Sequence, residues 1–158
     1  MNVGQVMTHK VQACRPQDSL NIPAKLMWDN NCGSVAVVGD GRVVGMLTDR
    51  DICMAVYTQG QRLNDIEVSS AMSKKLFSCR PEDTLATAEK IMRADRIRRL
   101  PIIDGDGHLV GILSLDDIAR EAGRPGEGER RAEITADEVC DTLSAICGRP
   151  AQAVAMTA

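Results

Sequence analysis

The chain states one pattern twice, and any fold it adopts must house two copies of one unit. Met7, Cys14-Arg15-Pro16, Asp18, Leu20, Lys25 and Met27 recur as Met72, Cys79-Arg80-Pro81, Asp83, Leu85, Lys90 and Met92, at an offset of 79 − 14 = 65. After a one-residue slip, Gly39-Asp40-Gly41, Val44-Gly45, Leu47 and Asp51-Ile52 recur as Gly105-Asp106-Gly107, Val110-Gly111, Leu113 and Asp117-Ile118, at an offset of 105 − 39 = 66. Duplication predicts two equivalent halves about a pseudo-twofold axis, with a ligand cleft between them. The expected division is a first domain over residues 1–60, a second over 61–123, and a linker with a C-terminal helix and tail over 124–158.

Composition narrows the classes of function. Aromatic residues are 2% of the 158, so Val, Ile, Leu, Met and Ala must fill the core. Stacking platforms for single-stranded nucleic acid are excluded on the same ground. A net charge of −3 argues against a broad surface for a phosphate backbone. No apolar run has membrane-spanning length, and the N-terminus lacks a basic-then-apolar signal. The expectation is a cytoplasmic protein without membrane or nucleic-acid partners. The six cysteines, Cys14, Cys32, Cys53, Cys79, Cys140 and Cys147, form no C-x-x-C pair. His9 and His108 are not at zinc-ligand spacing to them. They read as reduced small hydrophobes. A redox pairing of Cys14 with Cys140 or Cys147 would require the C-terminal segment to return to the body.

Each repeat reads strand, helix, strand, strand, helix. In the first, Lys10 to Cys14 suits a short edge strand. Asp18 or Ser19 then looks like an N-cap for a helix carrying Leu20, Ala24 and Met27. Pro23 would fall just beyond the first turn and cost one helical hydrogen bond. Asn30-Asn31-Cys32-Gly33 stops that helix. Val35 to Val38 is a continuous apolar run, as in a buried strand. Gly39-Asp40-Gly41 turns the hairpin, Val43 to Leu47 returns, and a helix follows from Thr48 to about Tyr57. The second repeat predicts strands over Leu76–Cys79, Leu100–Ile103 and Leu109–Leu113. Its helices run from Thr84 to about Ala94, and from after Ser114 to before Gly123.

Gly123 to Arg131 is rich in Gly and charge, as a linker would be. Thr135 and Glu138 then form a capping box, with Ile134 and Val139 placed as a hydrophobic staple. Val139, Leu143, Ile146 and Cys147 form an apolar stripe, ended by Gly148 and Pro150. A helix this short must dock on the body or on a partner.

Chemistry concentrates where the return strands end. Gly45-Met46-Leu47-Thr48-Asp49-Arg50-Asp51-Ile52 and Gly111-Ile112-Leu113-Ser114-Leu115-Asp116-Asp117-Ile118 each place Ser or Thr at a strand end and Asp three residues later. One reading is a capping box with Asp in place of Glu. The other is an acidic group for the two hydroxyls of a ribose, beside helix N-terminal amides that suit phosphate. Both can hold together.

On these motifs the chain resembles a tandem pair of cystathionine-β-synthase (CBS) domains. The resemblance covers roughly residues 1–122. It rests on h-P-h-h-D before the turn in the second copy and G-h-h-[ST]-x-x-D-h after the turn in both. The style is that of small stand-alone bacterial proteins with T-D-R-D-I. It implies an α/β (α+β) fold of two β-α-β-β-α units, plus the C-terminal helix. It also implies a non-enzymatic regulatory role: an adenine nucleotide of the AMP, ADP, ATP, NAD or S-adenosylmethionine class bound between the domains, and no catalytic cofactor. Carried onto this chain, Asp51 and Asp117 hold ribose with Thr48 and Ser114 beside them. Val35, Val37, Leu100 and Ile102 wall the adenine, partly through their backbone, with Pro101 alongside, and Arg98, Arg99 and Arg50 reach phosphate. The family also implies homodimers stacked as a disc and an effector protein.

The halves differ where it matters. The second has Arg98-Arg99-Leu100-Pro101, and the first has Gly33-Ser34-Val35-Ala36. The expected stronger site is therefore the one with Asp117 and Arg98 or Arg99. No Ser-His-Asp set, G-x-x-x-x-G-K loop or H-E-x-x-H motif competes. Two alternatives remain: a dimeric interaction module without ligand, and a redox-sensitive dimer through Cys14, Cys140 or Cys147.

Overall fold

Hydrophobic pairing within each repeat builds a small sheet backed by two helices. The computed structural model describes residues 1–123 and 134–148. In the first half, β1 (Ala13–Cys14), β2 (Ser34–Gly39) and β3 (Arg42–Thr48) form one sheet in that order, β1 parallel to β2 and β3 antiparallel. Helices α1 (Asn21–Asp29) and α2 (Asp49–Gln59) pack with it. A short α3 (Val68–Ala71) precedes the second half. That half has α4 (Leu85–Asp95), the antiparallel pair β4 (Arg99–Ile103) and β5 (Leu109–Ser114), and α5 (Leu115–Ala122). The fold is the mixed α/β architecture expected.

Local chemistry accounts for most boundaries and for several departures. Asp40 and Gly41 both have positive φ, at 49° and 78°, which matches a two-residue hairpin turn following the strand twist. The second hairpin has one residue more, between Ile103 and Leu109, and this is the one-residue slip between the repeats. The predicted strand over Leu76–Cys79 is reduced to a single bridge, Cys79 to Ile102. Pro101 stands where Ala36 stands in the first half and has no N–H for the ladder. Pro23 costs less than expected: α1 begins at Asn21, so Pro23 lies in the first turn, whose amides lack intrahelical partners anyway. Leu20, not Asp18 or Ser19, occupies the N-cap position. Asp18 instead accepts from the Arg15 N–H at 2.7 Å, and Asp83 repeats this with Arg80 at 2.7 Å.

The halves exchange their leading segments. The Val3 and Gly4 amides donate to the carbonyls of Asp83 and Pro81, both at 2.8 Å. The repeat equivalents Val68 and Ser69 donate to Asp18 and Pro16, at 2.9 and 2.8 Å. Each segment then crosses to a return strand. Thr8 pairs with Ile112 on β5, and Ser73 pairs with Met46 on β3. Val3 and Met7 accordingly belong to the core around Leu85, Met92, Leu100, Ile102, Leu113 and Ile118. Ile66 and Val68 belong to the core around Leu20, Val35, Val37 and Leu47.

The C-terminal helix α6 (Ala136–Cys147) starts at the Thr135–Glu138 capping box and docks on α4 and α5. Ile134, Val139 and Ile146 join the second core, and Thr142 between them is fully buried. Leu143 and Cys147, expected in the apolar stripe, lie on the exposed side. The buried face follows 139, 142 and 146 and includes a polar residue, because Thr142 has partners there. Its hydroxyl accepts from Arg93 at 3.1 Å and donates to Glu89 at 3.3 Å. The expected linker over 124–131, Pro125, Pro150 and the tail lie outside the described residues.

Candidate functional site

Both return strands deliver a hydroxyl to a helix mouth. Asp51 Oδ2 accepts from the Thr48 hydroxyl at 2.7 Å and its amide at 2.9 Å, and Thr48 Oγ1 accepts from the Asp51 amide at 3.1 Å. Ser114 and Asp117 repeat this at 2.6, 2.8 and 3.2 Å. The capping-box reading therefore holds in both copies. The cap uses Oδ2 of each carboxylate and leaves Oδ1 outside it.

Beside Asp117 a cleft of about 380 Å³ opens between the halves. One wall comes from Thr8, Lys10, Val11 and Gln12 and from residues 30–34, after α1. The other comes from Arg99, Ile112, Ser114, Asp116, Asp117 and Arg120. Three cations and two carboxylates thus meet in one depression. Among the described residues neither Lys10 nor Arg99 has a side-chain hydrogen bond or ion pair, whereas Arg120 pairs with Asp117 Oδ1. The Arg99 side also borders a second depression of about 520 Å³ between α1 and the start of α2, with Met27, Trp28, Asp49 and Ile52. Arg99 therefore stands between two openings.

The Asp51 side is electrostatically different. Lys75, the repeat equivalent of Lys10, is tied to Asp95 at 3.3 Å and lies 4.5 Å from the Phe77 ring. Asp95 corresponds to Asn30 and Phe77 to Gln12, so the Asp117 side has neither the competing carboxylate nor the ring.

The structure thus brings Arg99, Ser114 and Asp117 together at one cleft. Thr48, Asp51 and the exposed Arg50 lie at the mouth of α2. Arg98 departs from the expectation: its guanidinium donates to Cys147 Sγ at 3.2 Å, on α6. Arg98 lies in the bend just before β4, where α6 comes within its reach, whereas Arg99 is the first residue of the strand. Val35, Val37, Leu100 and Ile102 are 0% exposed and sit in the two cores. Their side chains are therefore not walls of an open cleft. Pro101 is buried in β4, where its carbonyl accepts from Cys79 at 3.3 Å.

Sequence reasoning passed over Lys10 and Arg120. Lys10 had a signal, since Lys75 repeats it at the 65-residue offset. Arg120 had only its place one helical turn after Asp117. The cysteine pairing is corrected too. Cys14 is buried in the first core, while Cys147 lies at Arg98 beside the second half. Burial pushes the Cys14 and Cys79 thiols up to about 11, with Asp18 and Asp83 adding repulsion.

Fold and site together define a class: a duplicated, interlocked α/β module with a polar cleft between its halves. The chain belongs to the CBS domain family, which matches it twice, at residues 3–58 and 67–124. It is 41% identical to the CBS domain-containing protein YhcV of Bacillus subtilis over 118 residues, 75% of this chain and 83% of that one. It superposes on CBSX2 in complex with AMP with a TM-score of 0.66 at 25% identity, covering 75% of this chain and 93% of that one. The CBS domain pair of MJ0100, in complex with 5′-methylthioadenosine and S-adenosyl-L-methionine, shares the fold with a TM-score of 0.69 at 20% identity, covering 76% and 94%.

Proposed function

We propose that this chain is a regulatory module that binds an adenine nucleotide in the Asp117 cleft and passes the signal on through the arrangement of its halves. The carrying observation is that two uncommitted cations, Lys10 and Arg99, line the same cleft as a capped carboxylate, with the helix α5 N-terminus beside it. That set suits a ribose phosphate: hydroxyls to Asp117, anion to the cations and the positive end of the helix dipole. The AMP held by CBSX2, at 25% identity, supports the same ligand class. AMP, ADP, ATP and NAD fit the charge, and S-adenosylmethionine belongs to the same adenosine class. Arg98 has no part in this site. The Asp51 side is the weaker one, because Asp95 already neutralises its lysine. The chain performs no catalysis in this reading, works in the cytoplasm, and acts on an effector protein.

A thermal-shift screen against these five compounds, followed by titration calorimetry, tests the reading. A ligand at 100 times its Kd that binds only the native state adds about 2.7 kcal/mol. Asp117→Ala should remove binding while the fold persists. Unchanged affinity in that variant refutes the ribose assignment.

A second reading, self-association, has its own observation. Helix α6 covers α4 and α5, whereas Trp28 on α1 and Tyr57 on α2 remain 87% and 81% exposed. They are the chain's one Trp and one Tyr, types enriched at the centres of interfaces. A homodimer through the helices of the first half fits this, and sedimentation equilibrium tests it: a monomer at all concentrations rejects it.

A further inference from the structure

We propose that Arg120 is a latch on the Asp117 cleft, making it select phosphorylated adenosine compounds over the bare nucleoside. The inference rests on the nucleotide reading above and adds a residue with a specific task. Asp117 Oδ2 is committed to the Ser114 amide and hydroxyl, and Oδ1 is taken by the Arg120 guanidinium. A ribose that donates from two hydroxyls needs Oδ1. In this state Arg120 competes with ribose for Oδ1, which cannot accept from two hydroxyls while it holds the guanidinium.

The other copy of the motif is the internal control. Asp51 Oδ2 is committed in the same way to Thr48, and among the described residues Oδ1 has no partner. The position equivalent to Arg120 is 120 − 66 = 54, and it holds Met54. Among the described residues Asp51 has no such latch, and the Asp117 cleft also holds Lys10 and Arg99 without an ion pair.

The latch is built to open for an anion. The Arg120 side chain is 73% exposed and long, while Asp117 is fixed by its cap. Only the guanidinium end of the pair is exposed, so Arg120 can swing out while the buried Asp117 stays in place. A phosphate entering beside Lys10 and Arg99 offers the guanidinium a bidentate partner. Arg120 then leaves Oδ1 to the ribose and stays in the cleft on the phosphate. A neutral nucleoside must break the same pair and supplies nothing in return. Phosphate is thus read twice, by the attraction it exerts and by the carboxylate it frees.

The test is titration calorimetry of the full-length chain with adenosine and with AMP, for wild type, Arg120→Met and Arg120→Lys. Arg120→Met installs the residue that the other repeat carries. Adenosine should then bind more tightly and AMP more weakly, so that the AMP preference falls about tenfold, the scale of one charge-assisted hydrogen bond. Arg120→Lys keeps the charge without the fork and should lie between. An unchanged preference in Arg120→Met, or equal losses for both ligands, overturns the latch. If neither compound binds wild type, the nucleotide reading itself fails and the latch with it. Binding of AMP that Asp117→Ala abolishes, with no change of preference in Arg120→Met, refutes the latch alone.

Discussion

Two glycines at equivalent places make a matched experiment on how the halves are joined. Gly45 on β3 and Gly111 on β5 lie under the crossing segments. A Cβ on Gly45 would stand 2.6 Å from the Ser73 carbonyl oxygen and 3.0 Å from Met72 Sδ. A Cβ on Gly111 would stand 2.6 Å from Met7 Sδ and 3.0 Å from the Thr8 carbonyl oxygen. The closest obstacle is thus backbone in one copy and the far end of a flexible side chain in the other. Gly45→Ala must displace Ser73, which exchanges hydrogen bonds of 2.9 and 3.3 Å with Met46. Two weakened bonds at about 1 kcal/mol each and overpacking of about 1–3 kcal/mol give a loss of roughly 3–5 kcal/mol. Gly111→Ala lets Met7 swing aside and shifts Thr8 by a few tenths of an ångström, for about 1–2 kcal/mol. Urea unfolding of both variants measures the difference. At about 2–4 °C per kcal/mol for a chain of this size, Gly45→Ala lowers Tm by roughly 6–20 °C. Equal losses, or a larger loss for Gly111→Ala, would refute the argument that the crossing backbone, not volume alone, sets the cost.

The other predictions concern ionisable groups. Burial raises the Glu89 pKa, opposed by the Thr142 hydrogen bond. Its stabilising proton is fully in place below the unfolded-state value near 4.3 and is lost as pH rises through the higher folded value. Glu89→Gln keeps an acceptor for Thr142 and removes the buried charge, so it should gain stability over wild type at pH 7 and lose that advantage toward pH 4. A gain that grows on acidification contradicts this. At pH 8, iodoacetamide should modify exposed Cys32, Cys53, Cys140 and Cys147 but spare Cys14 and Cys79, whose thiols lie near 11. Peptide mapping that finds Cys14 or Cys79 labelled as fast as the rest, without denaturant, would count against their burial.

Local signals in the sequence proved legible, and relations between segments did not. The capping boxes at Thr48, Ser114 and Thr135 are contained in four residues each, so hydrogen-bonding capacity and spacing suffice to find them. The apolar run at Val35–Val38 announces a buried strand, but the run alone does not show that Val35 and Val37 face a core and not the cleft. Arg98 and Arg99 are indistinguishable as letters. They part because β4 begins only at Arg99 and because α6 returns to meet Arg98 in the bend before it. Lys10 becomes a site residue only through the crossing of residues 1–9 to the far half. No periodicity within either repeat records that crossing. The face of α6 was misjudged for a related reason: Thr142 is buried by partners, Glu89 and Arg93, that are about 50 residues away.

The reciprocal placement of residues 3–4 and 68–69 has a consequence for how such a chain arises. A polypeptide with one repeat would carry a leading segment that its own body cannot use, and a groove at Asp18 and Pro16 that its own leader does not fill. Two such polypeptides satisfy each other by trading leaders. The duplicated chain is therefore a domain-swapped dimer made covalent. Cutting it between the repeats should yield fragments that complement one another, not two self-sufficient domains.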